Sequence, residues 1–256
     1  MTADVLLISA QRTSTALLLA EAAARRGLAA RVLDGPPDRV VRQGEAVHWY
    51  GGPLLADRVV EPLGLGLLEP PDAWLAELPE EFTGRRVTLT TLAAARRDLA
   101  EPAFVKPPGD KSFPPAVYAD GAALPDGLPA DTPVLVSGPV TFAAEYRLFV
   151  LDGRVRTGSR YVSYGRLDPG PLSEEARRFG ERLLAAVGGS LPSGVVVDVG
   201  RTDRGGWAVV EANMAWFAHA YAADPAAVLD VVLRSAGPRG RVGERDRSYL
   251  RTRPKR

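Results

Sequence analysis

The first 34 residues constrain the architecture more than any other part of the chain. An apolar run, DVLLISA (4–10), precedes TSTALLLAEAAARRG (13–27), whose apolar residues recur at helical spacing, and a second short apolar run, AARVLD (29–34), follows. Thr13 or Ser14 caps the helix and Gly27 stops it. Two short strands separated by one helix pair in parallel, because only a crossover of that length returns the chain to the same end of a sheet. The expected fold class is α/β. The turn after the first strand reads Ser9-Ala10-Gln11-Arg12 and lacks Gly-x-Gly-x-x-Gly, which disfavours a Rossmann dinucleotide site.

Residues 35–83 are richer in proline and glycine, with VHWYGG as a strand and turn and PPDAWLAELP as a short helix entered through proline. The pattern restarts at GRRVTLTTLAAARRDL, with a strand near Val87, a helix over 91–99 and the strand AFVK, so a boundary falls near Gly84. After residue 131 strands dominate and the character becomes α+β: TPVLVS, then EYRLFVLDGRVRTGSRYVSY, whose Asp152-Gly153 pair between apolar runs signals a two-residue hairpin. A helix over 173–188 is capped by Ser173, strands follow at 194–200 and 207–213, and a last helix covers 225–235 behind Asp224-Pro225. The expected division is 1–83, 84–137, 138–237 and a basic tail, 238–256.

Charge bears on partners. The last 19 residues carry a net charge of +6, leaving about −5 on the rest of a chain whose formal charge is +1. Apolar anchors are sparse there, so a disordered tail is expected; it is the only basic feature that favours nucleic acid, which is otherwise not an expected partner. No apolar run approaches the roughly 18–20 residues of a membrane span, so no membrane segment or signal peptide is expected and the location is read as cytoplasmic. With no cysteine, thiolate ligands and an enzyme-bound thioester are excluded.

Two scarce residue types mark the candidate chemistry. Only three of the 32 basic residues are lysine, and two of them, Lys106 and Lys111, stand five apart in FVKPPGDKSF. Arginine-rich coding of this kind fits a high-GC bacterial source. A lysine retained against that background fits a site needing a compact ammonium, such as a nucleotide phosphate at a strand end. Asn213 is the only asparagine of the chain. The strand period puts Glu211 and Asn213 on one face, and a return of the chain near Asp203-Arg204 brings Asp198 toward Glu211. The three are either a hard oxygen site suited to Mg²⁺ or polar residues where strands meet turns.

FVKPPGDK, the strand VLVS, the hairpin EYRLFVLDGRV and Asp198 thirteen residues before Glu211-x-Asn213 together resemble the ATP-grasp superfamily of ATP-dependent ligases. GRRV, DKSF and VVEANMAW are similar to its branch marked by one arginine and two lysines. The likeness covers about 84–235, and residues 1–83 are compatible with the lobe that precedes an ATP-grasp core.

The resemblance implies ATP, bound between the central and C-terminal lobes, and a pair of Mg²⁺ ions as cofactors. It assigns Lys106, Lys111 and Arg86 (or Arg85) to the phosphates, Val134, Leu135, Val136 and Ser137 to an adenine-holding hinge, Glu145 to the nucleotide, and Asp198, Glu211 and Asn213 to the metal. Relatives with an arginine two residues before the metal aspartate differ from this chain, which has Val196, so Arg147, with Lys111, is the candidate to steady the transferring phosphoryl group. Trp216, His219 and Tyr221 are substrate candidates along the cleft rim. The implied activity joins a small-molecule or peptide carboxylate to an amine through an acylphosphate. A kinase on the same core and a non-catalytic nucleotide-binding module are the alternatives.

Overall fold

The computed structural model describes residues 4–11, 13–109 and 112–252. Strands β1 (Asp4–Ser9), β2 (Ala29–Leu33) and β3 (Ala46–Tyr50) form a parallel sheet in the order β2-β1-β3. The intervening helix, Ser14–Arg25, is capped by the Thr13 hydroxyl, which accepts from the Ala16 amide at 3.1 Å, and Gly27 terminates it at φ +69°. A three-residue strand, β4 (Leu65–Leu67), completes this part of the chain.

The next sheet is antiparallel throughout. Strands β5 (Val87–Thr91), β6 (Ala103–Lys106), β7 (Ala116–Tyr118) and β8 (Pro133–Ser137) lie in the order β5-β8-β6-β7, with the helix Leu92–Asp98 packed through Leu92 and Ala95 on Val105 and Val134.

Strands β9 (Phe142–Leu151), β10 (Arg154–Ser163), β11 (Arg166–Pro171), β12 (Gly194–Thr202) and β13 (Trp207–Asn213) build a five-stranded antiparallel sheet in the order β11-β10-β9-β12-β13. Asp152 and Gly153 turn the β9–β10 hairpin with positive φ at both residues, as a type I′ turn requires. Both faces of this sheet are covered, so β12 reads as an unbroken apolar run. Val195, Val197 and Val199 join a core with Phe179 and Leu183 of the helix Glu174–Val187, while Val196 joins a core with Val228 and Val232 of the helix Pro225–Ser235. That second core also takes in Leu6, Ile8 and Leu19, so the parallel sheet and its helix pack directly on the C-terminal sheet.

The tail expectation is overturned. Strand β14 (Ala236–Pro238) pairs antiparallel with β4, and Leu250 bridges to Leu68. Asp246 is buried and accepts from the Ser193 amide at 2.9 Å and hydroxyl at 2.5 Å. Arg251 reaches Asp57 at 2.8 Å and Glu69 at 2.5 Å. The segment docks through ion pairs and backbone hydrogen bonds, which leave no hydrophobic period for a sequence reading to detect.

Candidate functional site

Sheet register assembles the site. In the C-terminal sheet Arg147 of β9 pairs with Asp198 of β12, and Asp198 pairs with Glu211 of β13. Directly opposed residues share a face, so one cross-strand row carries Arg147, Asp198 and Glu211. Asn213 lies two residues beyond Glu211 and keeps to that face. The β12–β13 register shifts just past Asp198, where Val199 opposes Val209 and Val210 is the extra residue; without that bulge Glu211 would not face Asp198.

The row is closely hydrogen-bonded. Arg147 donates through Nε and Nη2 to the two Asp198 carboxylate oxygens at 2.9 and 2.7 Å. Lys106, at the end of β6, donates to Glu211 Oε2 at 2.5 Å. Asn213 donates to Glu211 Oε1 at 2.7 Å and reaches Asp198 Oδ2 at 3.5 Å. Full burial pushes the Asp198 carboxyl upward and the bidentate guanidinium opposes it. Burial also works against the charge on Arg147, but Asp198 more than compensates and holds it protonated more firmly than a free arginine. Burial acts upward on Glu211 as well, yet the Lys106 charge and hydrogen bond, with that of Asn213, bring its carboxyl below the ordinary range.

A cleft of about 570 Å³ opens beside this row, between the central and C-terminal sheets. Lys106 and Glu211 stand at one end; Arg85, Phe104, Ser137, Phe142 and Tyr161 line the rest. Glu145 also faces it and accepts from the Tyr161 hydroxyl at 2.7 Å, its carboxyl raised by burial and by the charges of Asp198 and Glu211. Tyr161 stacks on Tyr221 at 5.2 Å, and the Arg147 guanidinium lies 5.3 and 5.4 Å from the two ring centres.

Several expected positions move. Arg86 is exposed and does not line the cleft. Arg85 does, donating to the Thr83 carbonyl at 2.8 Å and the Ser137 hydroxyl at 3.3 Å, with Phe142 beneath its guanidinium. Of the hinge residues only Ser137 reaches the cleft. β8 lies between β5 and β6, so Val134, Leu135 and Val136 sit in the interior of a sheet whose ladders engage both edges of their strand, and the chain meets the cleft at Ser137, Gly138, Val140 and Thr141. Trp216 is fully buried, its indole N–H donating to the Leu68 carbonyl at 3.0 Å, so it belongs to the core and not the rim. His219 is exposed and its ring lies 5.9 Å from Tyr221. Lys111 lies outside the described residues.

Phe104, Phe142 and Tyr161 were not singled out as site residues. Phe104 carries a legible signal, since it precedes Lys106 by two on the same strand and shares its face. Tyr161 carries none, because it falls at an irregularity of the β9–β10 pairing, where Arg160 opposes Tyr146 and Val162 opposes Glu145.

Two carboxylates and an amide side by side, with a lysine at the same edge of a cleft wide enough for a nucleotide, fit a magnesium ion: the donor set is hard oxygen throughout. Fold and site together define an ATP-grasp protein. A family model, the ATP-grasp domain of family 2 in the clade named for one arginine and two lysines, matches residues 82–231, and the chain belongs to that family. No match is found among curated proteins. Among solved structures the chain is similar to the D-cycloserine synthetase DcsG (17% identity, TM-score 0.59, covering 90% of this chain and 98% of that one). It is also similar to a RimK domain ATP-grasp protein from Sphaerobacter thermophilus (19%, 0.53, 90% and 100%) and to the ATP-grasp ligase PsnB complexed with a phosphomimetic variant of its minimal precursor, Mg and ADP (16%, 0.53, 91% and 97%). At these identities the likeness is one of fold. Among the described residues no helix is long and apolar enough to cross a membrane.

Proposed function

We propose that this protein is an ATP- and Mg²⁺-dependent carboxylate–amine ligase acting in the cytoplasm, where its nucleotide is abundant. The observation that carries the reading is the row Arg147–Asp198–Glu211, with Asn213 beside it and Lys106 on Glu211, at the end of a nucleotide-sized cleft. Asp198, Glu211 and Asn213 would hold two Mg²⁺ ions. When bound, these ions neutralise charge on the β- and γ-phosphates during phosphoryl transfer.

The chain's own groups supply the rest. Lys106 offers a point charge to phosphate oxygens from the end of a strand, and Arg85 and Ser137 offer donors farther along the cleft. Phe104, Phe142 and Tyr161 provide aromatic walls for the base and exclude water. Arg147, held in one orientation by Asp198 and two tyrosine rings, places a cation where the transferring phosphoryl group meets the substrate. The substrate carboxylate takes the γ-phosphoryl group, giving an acylphosphate and ADP; the amine then attacks the acyl carbon and phosphate leaves. The fold relatives named above include a cycloserine synthetase and a precursor-peptide ligase, so both small-molecule and peptide carboxylates belong in the trial set.

Incubation with ATP, Mg²⁺, candidate carboxylates and hydroxylamine tests the reading. Hydroxamate should form and be lost by about a hundredfold or more in Glu211→Gln. A stable phosphorylated product that ignores hydroxylamine would replace the ligase with a kinase.

A further inference from the structure

The oxygens that fit a divalent cation already have partners within the chain. Both Glu211 oxygens accept, Oε2 from the Lys106 ammonium at 2.5 Å and Oε1 from the Asn213 amide at 2.7 Å. Both Asp198 oxygens accept from the Arg147 fork. Asn213 turns its amide nitrogen toward the carboxylates, whereas a metal would take its oxygen.

The two ion pairs are built differently. Asp198 is wholly buried and its side chain shows no exposure, and Arg147 grips both its oxygens with a planar fork. Lys106 makes a single contact through a flexible stem, and 35% of the Glu211 side chain is exposed toward the cleft. The second pair is therefore the one an incoming ligand can reach and separate. An ammonium and a divalent cation on the same carboxylate oxygen exclude each other, by space and by charge.

We infer that Lys106 is a latch on the metal site. Its ammonium and a divalent cation are alternative partners of Glu211, and the nucleotide's polyphosphate draws Lys106 away, freeing Glu211 for the metal. Metal and nucleotide then bind with positive coupling, and Lys106 carries that coupling. The metal without nucleotide binds weakly because it must displace an intramolecular cation. This inference rests on the ligase reading above, whose Lys106 and Glu211 it uses.

The test measures binding of Mn²⁺ alone, by calorimetry and by loss of the free-ion paramagnetic resonance signal, near pH 8 so that carboxylates are ionised. Wild type is compared with Lys106→Met, Lys106→Gln and Lys106→Arg. The neutral variants should bind Mn²⁺ about tenfold more tightly than wild type, which corresponds to about 1.4 kcal/mol, while Lys106→Arg keeps a cation on Glu211 and stays weak. A merely structural or phosphate-binding lysine would not produce a gain in metal affinity on removal. If either neutral variant folds, by its thermal transition, and binds Mn²⁺ no better than wild type, the latch is overturned. So it is if wild type binds Mn²⁺ alone as tightly as it does in the presence of ADP. Titration of wild type with ADP and Mg²⁺ separates the two readings: no binding there sinks the ligase reading itself, whereas binding there without a gain in Lys106→Met sinks only the latch.

Discussion

Replacing Arg147 by methionine removes one partner of a fully buried ion pair while keeping most of the side chain's volume. Asp198 then stands in the interior row with only the 3.5 Å Asn213 contact remaining. Breaking a buried pair from one side costs about 3–5 kcal/mol, because the surviving charge keeps its desolvation penalty and loses its compensation. For a chain of this length each kcal/mol lowers the melting temperature by about 2–4 °C, so the transition should fall by about 6–20 °C. The deficit should depend on pH with a definite sign. Without the guanidinium, burial raises the folded pKa of Asp198 above its unfolded value of about 3.9, so the variant gains stability by taking up a proton. That gain is present at low pH and lost as pH rises through the folded pKa. The gap between variant and wild type should therefore be widest near neutrality and narrow toward about pH 4–5. Arg147→Met combined with Asp198→Asn should recover most of the loss, since no buried charge then remains. Thermal scans from pH 4 to 8 on the three variants measure this. Equal melting temperatures for Arg147→Met and wild type at neutral pH, or a double variant no better than the single one, would refute the reasoning.

Three further outcomes follow from other parts of the molecule. A methyl group on Gly121 would sit 1.9 Å from the Arg96 carbonyl oxygen, so Gly121→Ala should destabilise by about 1–3 kcal/mol or more, read by chemical denaturation. Arg251→Met should lower stability by about 1–3 kcal/mol, because the partly buried Glu69, whose carboxyl burial already raises, loses its 2.5 Å partner; a change below about 0.5 kcal/mol would mean that the C-terminal segment does not hold the fold. Arg85→Ala should weaken ADP binding, by calorimetry, by more than Arg86→Ala does, because only Arg85 lines the cleft; equal effects would place the phosphate-side cation elsewhere.

The sequence by itself determined those features whose cause is local. The strand–helix–strand opening, the Thr13 cap, the Asp152-Gly153 turn and the strands that carry Asp198 and Glu211 are dictated by periodicity, capping and turn chemistry, and each is where those rules put it. The single asparagine and the sparse lysines pointed to Asn213 and Lys106 because rarity against a biased composition is itself visible in a sequence. Tertiary structure decided what depends on pairing order and register. Arg147 meets Asp198 because β9 lies beside β12, although 51 residues separate them in the chain. Glu211 faces Asp198 because the bulge at Val210 shifts the register of β13. The choice of Arg85 over Arg86, the enclosure of Val134 and Leu135 within a sheet, and the burial of Trp216 under Leu68 are likewise settled by which face meets which neighbour. The docking of residues 238–252 has the same origin: an arginine's partner lies far away in sequence, and an ion pair, unlike an apolar stripe, leaves no period in the chain.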